Sequence, residues 1–299
     1  MAARPTNRQA TAAALVATFL LQPALGATVY AIADQELLRF DSSNPNGATS
    51  LGVVQGLAPG DGVLSGLDFN PVDGRLYGAT TSHVYTIDTS TARATVVGML
   101  PSRFYGDIDF HPRTGELRLL SEFVNLLCSV DGELSCNEQP HPGSAGSSLV
   151  PSVIGYASGT SGTSPPQLYG IGDIGHLLLD LDPDTAAYAE TIAAVLIPSS
   201  RVTSLDIVWD GQKDVGYLSL YQPNETVSMF YQIDLTSGVP VYPGGDYAWA
   251  ELFIGDGSRY VAGMAVQPVP APPALWLLLT ALLSAPTLAW KRHLMINGR

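Results

Sequence analysis

Three short sequence patterns recur in the same order along the chain, and each occurs five times. The first is a strand-like five-residue segment, the second resembles Leu-Tyr-Gly, and the third ends in Asp. They begin at residues 65, 106, 152, 203 and 262, at 29, 76, 117, 168 and 216, and at 39, 86, 129, 180 and 232, respectively. A further β-like run, such as Ala94–Val97, follows the turn after the third pattern. Units of four short strands at a spacing of roughly 40–60 residues are typical of propeller blades, so an all-β propeller is predicted.

The order of the patterns predicts how the ring closes. The chain opens with the second and third patterns and ends with the first, so one blade is split between the termini. We therefore expect about five four-stranded blades, closed by pairing of the N-terminal and C-terminal strands. The segment Tyr242–Gly257 fits no pattern clearly, which leaves four or six blades open as alternatives. The Asp that ends the third pattern is predicted to close an Asx-type turn.

The first 26 residues have the features of a secretory signal peptide. Arg4 and Arg8 form a positive region, and Ala10–Leu21 is an uncharged, mostly apolar stretch. The small residues before Ala27 predict cleavage between Gly26 and Ala27. An uncleaved N-terminal anchor is the alternative, although the apolar run is short for a membrane span.

The other end contains a second apolar run. Pro273–Trp290 is 18 residues long without a charge, and Lys291 and Arg292 follow it. At a rise of 1.5 Å per residue, this run is just long enough to cross a bilayer core of about 30 Å. The sequence thus predicts one C-terminal transmembrane helix over 273–290, with the basic residues on the cytoplasmic side.

The segment that begins at Val269 resembles a PEP-CTERM sorting signal of the variant V-P-x-P-P-A-L-W-L. The residues that carry the resemblance are Val269, Pro270, Pro272, Pro273, Trp276, Lys291 and Arg292. It implies a bacterial envelope protein that an exosortase-type transpeptidase handles, held transiently in the inner membrane by its C-terminal helix. Such proteins pass to the cell surface or an exopolysaccharide matrix. Ala271 departs from the usual Glu, and the tail extends to Arg299. The expected domains are a signal peptide at 1–26, a propeller at 27–268 and a sorting signal at 269–299.

Three segments, 29–41, 66–78 and 84–88, are similar to the bacterial domain of unknown function 4394 family. The resemblance is strongest over residues 29–120 and continues more weakly to about residue 240. It implies a propeller-like fold and no assigned activity.

The charge balance limits the classes of partner that the protein is expected to bind. The chain has 27 acidic and 14 basic residues and a net charge of −13. An acidic surface repels anionic polymers and attracts cations, so a nucleic-acid partner is not expected. The net charge of the predicted propeller is more negative than that of the whole chain, because five of the basic residues lie in the two end segments.

Asp68, Asp109 and Asp206 occupy one position of the first pattern, on the predicted innermost strands. Because equivalent positions of successive blades converge on the propeller axis, the three carboxylates are a candidate metal site. Ca²⁺, which prefers oxygen ligands, is the candidate ion. The alternative is a structural role, in which each buried Asp accepts backbone N–H bonds from the following turn.

Cys128 and Cys136 are the two cysteines of the chain, and an exported protein meets an oxidising compartment. If Asp131-Gly132-Glu133 is a three-residue hairpin loop, Cys128 faces Cys136 and a disulfide is predicted. A two-residue Asp131-Gly132 turn would instead pair Cys128 with Ser135.

The sequence carries no H-E-x-x-H, G-x-S-x-G or Walker A motif that would indicate a common enzyme class. We therefore expect a non-enzymatic structural or binding propeller that makes its contacts through loops and channel mouths, with exopolysaccharide as a candidate partner. The alternative is a metal-dependent hydrolase or lactonase with carboxylates near the central channel.

Overall fold

A computed structural model describes residues 26–142, 149–158, 165–172, 176–197, 201–210, 212–222, 227–241, 253–256 and 258–268. The predicted signal peptide, apart from Gly26, and the predicted sorting signal with its helix lie outside these residues. In the part of the chain that is described, none of the helical segments has the length and apolar character needed to cross a membrane.

The described residues form five antiparallel sheets of four strands each, which confirms the predicted five-bladed propeller. Blade 1 contains β20, β1, β2 and β3, and blades 2 to 5 contain β4–β7, β8–β11, β12–β15 and β16–β19. The strands are β1 (Thr28–Ala33), β2 (Glu36–Asp41), β3 (Asn44–Val53), β4 (Gly66–Phe69), β5 (Leu76–Ala79), β6 (His83–Asp88), β7 (Arg93–Met99), β8 (Asp107–Phe110), β9 (Leu117–Leu120), β10 (Asn125–Ser129), β11 (Ser135–Glu138), β12 (Pro151–Ala157), β13 (Gln167–Gly172), β14 (Leu177–Leu181), β15 (Tyr188–Ala194), β16 (Arg201–Trp209), β17 (Asp214–Gln222), β18 (Val227–Ile233), β19 (Pro240–Val241) and β20 (Val261–Val266).

The ring closes through blade 1, as the order of the patterns predicts. Strand β20 pairs antiparallel with β1, with Tyr30 opposite Ala265. The backbone N–H of Gln267 then donates to the carbonyl of Thr28 at 2.8 Å, so both ends of the described chain leave the ring side by side. On its other side β20 meets β4, where a Cβ added at Gly263 would lie 3.0 Å from the Cα of Gly66. Glycine therefore lets the last inner strand approach the first closely.

The apolar core is divided into five clusters. Four of them draw on two adjacent blades, and the fifth combines residues of blade 4 with Leu120 of blade 3. Tyr30 of blade 1 packs edge-to-face on Phe69 of blade 2, with ring centroids 5.6 Å apart. Tyr77 of blade 2 meets Phe110 of blade 3 in the same way at 5.0 Å. Because both faces of a blade pack on neighbours, the ring is stabilised by burial between blades rather than by one central core.

Most of the predicted Asx turns are present at the ends of the third strands. Asp88 Oδ1 accepts the backbone N–H of Ser90 at 2.8 Å. Asp41, Asp182 and Asp234 make the corresponding bond to the residue two positions further on. Asp131 differs, since its own backbone N–H donates to Ser129 Oγ at 3.5 Å.

The hairpin register confirms the predicted disulfide. Cys128 lies opposite Cys136 and Ser129 opposite Ser135, which is the register of the three-residue loop. The two sulfurs are bonded, and the Cα atoms are 4.0 Å apart. Gly132 has a φ of 91°, a conformation that glycine adopts without steric cost.

We predict that replacing both cysteines, Cys128→Ala with Cys136→Ala, lowers the free energy of unfolding by about 2–3 kcal/mol. The bond closes a short loop, and the unfolded chain regains that loop's conformational entropy when the bond is absent. Guanidinium unfolding with and without a thiol reductant measures the change. The reductant should destabilise the wild type and leave the double variant unchanged. Equal stability of the wild type and the double variant without reductant would contradict the prediction.

Candidate functional site

The innermost strand of each blade has a sheet partner on one side only. Its other edge faces the central channel, where neighbouring inner strands approach one another. A buried backbone N–H without a partner costs about as much free energy as a lost hydrogen bond. The channel therefore needs acceptors, and aspartate side chains supply several of them.

Asp68, Asp109 and Asp206, here called the axial aspartates, each accept a hydrogen bond from the inner strand of the next blade. The donors are the backbone N–H groups of Phe110 to Asp68 Oδ2 at 2.6 Å, Tyr156 to Asp109 Oδ1 at 3.2 Å, and Val266 to Asp206 Oδ2 at 2.5 Å. The sequence-based alternative placed such donors in the following turn, whereas these three donors belong to the neighbouring blade. Each carboxylate thereby connects two blades at the channel.

The sequence patterns do not single out a fourth buried carboxylate, Asp107. Its Oδ2 accepts the backbone N–H groups of Ile154 and Leu205, both at 3.3 Å. These donors lie on the inner strands of blades 4 and 5, so Asp107 joins three blades. Alternation along β8 could have revealed it, because Asp107 lies two residues before Asp109 and shares its face of the strand.

The axial aspartates lie close to one another and are shielded from solvent. Carboxylate oxygens of the three residues all lie within 4.8 Å of one another, and the residues are 6%, 4% and 4% exposed. Burial raises the pKa of each group, and repulsion from Asp206 raises the pKa of Asp68 further. The pKa of Asp206 rises to about 7. The ion pairs of the described residues involve Asp61 and Glu36, so the axial aspartates have no basic partner among them.

This arrangement can hold shared protons or a cation. Ca²⁺ takes oxygen ligands at 2.3–2.6 Å, so ligands on opposite sides of the ion lie about 5 Å apart. The oxygens of Asp68, Asp109 and Asp206 meet this limit, and a carboxylate that accepts one N–H bond still has lone pairs to offer. The axial aspartates thus fit the predicted calcium ligand set in donor type and spacing.

Two blades do not contribute a carboxylate at the same pattern position. Blade 4 has Gly155 there and blade 1 has Ala265. A Cβ added at Gly155 would lie 3.0 Å from Ile207 Cγ1, so the neighbouring blade already fills that space. The five-fold pattern therefore yields three axial aspartates rather than a full ring.

A separate open cavity of about 630 Å³ lies at the end of the channel where the inner strands begin. Its lining includes Ser65, Gly106, Pro151, Arg201 and Ala262, which stand at or just before the five inner strands. We call this end of the ring the mouth face, and the end where the inner strands finish the opposite face. The axial aspartates are not among the residues that line this cavity.

Exposed large apolar side chains gather at the mouth face. Of the nine such residues in the described chain, seven lie in mouth-face loops or at strand ends that reach it: Val53, Val63, Met99, Tyr105, Phe123, Leu196 and Tyr260. Phe123 is 81% exposed and Tyr105 is 65% exposed. Of the other two, Val72 lies at the opposite face and Val96 within β7. Three of the seven, Val63, Tyr105 and Tyr260, also line the cavity. Exposed apolar side chains that lie together around a cavity are typical of interaction surfaces.

One loop of the mouth face is fixed by a buried carboxylate, Asp61, which sequence reasoning did not identify. Its partners are the hydroxyls of Thr80, Ser82 and Tyr85 and Nδ1 of His83. Burial by itself would raise the pKa of Asp61, but these hydrogen bonds lower it to about 2. Because Val63 and Ser65 follow in the same loop, this network helps to position part of the cavity wall.

The fold defines a five-bladed β-propeller protein. A model of the family described as a domain of unknown function (DUF4394) matches residues 36–244. This is more than half of the chain, so the chain belongs to that family. No curated protein matches it significantly.

Several solved structures are similar at low identity. A chain of the nidogen/laminin complex is 11% identical over 81% of this chain and 98% of its own, with a TM-score of 0.47. A protein of unknown function from Bacteroides caccae is 10% identical over 81% and 99%, with a TM-score of 0.47. The Dos1 propeller is 16% identical over 71% of this chain, with a TM-score of 0.39, and this chain covers only 60% of it. Likenesses of this size do not indicate what the chain binds.

We predict that the stability advantage of the wild type over Asp206→Asn falls as the pH rises from about 4 to about 7. A pKa raised on folding stabilises the protein fully below the unfolded pKa of 3.8 and loses that contribution as the pH approaches about 7. The difference in the free energy of unfolding should fall by up to about 1.4 kcal/mol per pH unit. Urea unfolding at several pH values, in buffer with a chelator, measures it.

Asp234→Asn is the matched control. Because hydrogen bonds from Thr236 and Ser237 lower the pKa of Asp234, its stabilising contribution is complete above 3.8 and is lost only as the pH falls below that value. Its difference from wild type should stay constant between pH 4 and 7. A constant difference for Asp206→Asn as well would show that Asp206 does not titrate in this range.

Proposed function

We propose that the chain is an exported, non-enzymatic binding propeller of the cell surface or the exopolysaccharide matrix, with its ligand contacts at the mouth face. The observation that carries the proposal is the open cavity, whose lining includes three exposed apolar side chains, those of Val63, Tyr105 and Tyr260. A monomeric soluble protein rarely leaves such side chains together without a partner. The proposal includes no nucleic-acid partner, because the net charge of −13 repels polyanions.

Export is the part of the proposal that rests on the sequence. The signal peptide with cleavage between Gly26 and Ala27, the sorting signal and the helix at 273–290 would take the chain to the inner membrane and then to an exosortase-type transpeptidase. The Cys128–Cys136 disulfide supports an oxidising destination, because such bonds persist mainly outside the cytoplasm.

We predict that the full chain, purified in mild detergent, binds saccharides on a glycan array and that Tyr105→Ala weakens this binding at least about tenfold. Tyrosine is one of the residue types enriched among the interface positions whose truncation costs this much or more. Val72→Ala is the control, since Val72 is 65% exposed but lies at the opposite face. Equal loss of binding in both variants, or no change in either, would contradict ligand contacts at the mouth face.

The second candidate function is a metal-dependent hydrolase or lactonase, which the spacing of the axial aspartates favours. Asp68, Asp109 and Asp206 would hold the Ca²⁺ ion, which would polarise an ester carbonyl. A catalytic ion needs an open coordination position for the substrate. The axial aspartates are buried and lie outside the cavity lining, so they suit a structural role better.

We therefore expect no turnover of ester or lactone substrates by the full chain with added Ca²⁺. Chromogenic esters and lactone pH-stat assays measure this, and thermal unfolding with and without Ca²⁺ shows whether the ion binds. A rise in melting temperature that Asp206→Asn abolishes would assign the ion to the axial aspartates as a structural ligand. Turnover that needs the same residue would contradict the non-enzymatic role.

A further inference from the structure

We infer that the cavity at the mouth face binds an uncharged saccharide, an inference that rests on the proposed binding function. The cavity combines exposed aromatic rings, acceptor-rich hydroxyls and balanced charge. Different residues supply each of these three properties. Together, the properties fit a ligand that has many O–H donors and no net charge.

Two tyrosine rings flank the cavity from different blades. Tyr105 precedes β8 of blade 3 and is 65% exposed, while Tyr260 precedes β20 of blade 1 and is 38% exposed. Tyr260 is held by an edge-to-face contact with Tyr221, with ring centroids 4.8 Å apart. A tyrosine has an apolar face and a polar hydroxyl, so it can pack on the C–H face of a sugar ring and bond its hydroxyls.

Three hydroxyl groups of the lining are used as donors within the protein, whereas Ser121 Oγ accepts the backbone N–H of Val124 at 3.1 Å. Ser152 donates to the carbonyl of Ile171 at 3.0 Å, and Thr203 lies 3.2 Å from the carbonyl of Ser219. Ser65 donates to the carbonyl of Ala79 at 3.4 Å. A hydroxyl has one donor and two acceptor positions, so these groups retain acceptor capacity. An acceptor-rich wall favours a ligand that supplies O–H donors, as a saccharide does.

Charge in the lining is balanced. Among the described residues that line the cavity, Arg201 and Glu122 are the charged ones, one of each sign. The chain as a whole carries −13, so its long-range field disfavours a polyanionic ligand. A neutral saccharide meets neither repulsion from this field nor an unpaired buried charge, whereas an acidic polysaccharide would find one arginine for many carboxylates.

The test compares neutral and acidic oligosaccharides of equal length on the full chain in detergent. Cello-, malto- and mannooligosaccharides are the neutral probes, and oligogalacturonate and oligoalginate are the acidic ones. Calorimetric titration should detect at least one neutral series, with an affinity that is unchanged between about 50 mM and about 500 mM NaCl because no charge is screened. Tyr105→Ala and Tyr260→Ala should each lower this affinity about tenfold, whereas Tyr105→Trp and Val72→Ala should retain it.

The other outcomes separate this inference from the proposed function. Salt-sensitive binding of the acidic probes that Arg201→Gln abolishes would overturn the uncharged ligand but keep the mouth face as the binding surface. Binding of a polypeptide through Tyr105 and Phe123, without saccharide affinity, would do the same. Saccharide affinity that none of the mouth-face variants changes, in proteins that melt like the wild type, would overturn both.

Discussion

The unpaired edges of the inner strands are the constraint on which this propeller depends. The innermost strand of every blade has one edge that faces the channel, and the N–H groups along that edge have no partner within their own sheet. Aspartate resolves the problem because one carboxylate reaches the next blade and accepts its backbone N–H. The bond from Val266 to Asp206 also fastens the strand that closes the ring. The same side chains thus satisfy the backbone and hold neighbouring blades in register.

This solution brings negative charges together in a place without a basic partner among the described residues. Burial and mutual repulsion raise the pKa values of Asp68 and Asp109, so the group favours protons or a cation over three free charges. Its chemistry therefore belongs to the stability of the ring. The axial aspartates do not line the cavity at the mouth face. The aromatic rings and loops around this cavity can therefore contact a partner.

Much of this architecture could be read from the sequence, because local patterns determine it. The repeated five-residue segments predict the inner strands, the split blade predicts pairing of β20 with β1, and the loop at Gly132 predicts the cysteine register. The position shared by Asp68, Asp109 and Asp206 likewise predicts their convergence. What the sequence could not predict depends on contacts between distant segments. Asp107 reaches Leu205 across blades, and Asp61 collects four partners from the loop and strand after β5. No spacing rule links such pairs.

Both described ends of the chain leave at the opposite face, which also carries the Asx turns of Asp41, Asp88, Asp182 and Asp234. A C-terminal tether would therefore orient the ring with its acidic loops toward the lipid and its cavity outward. Where the lipid headgroups are anionic, they would repel such loops and hold the ring away from the bilayer surface. The five inner strands all run in the same direction, from the mouth face to the opposite face. In a tethered protein, this common direction would determine which face points away from the membrane.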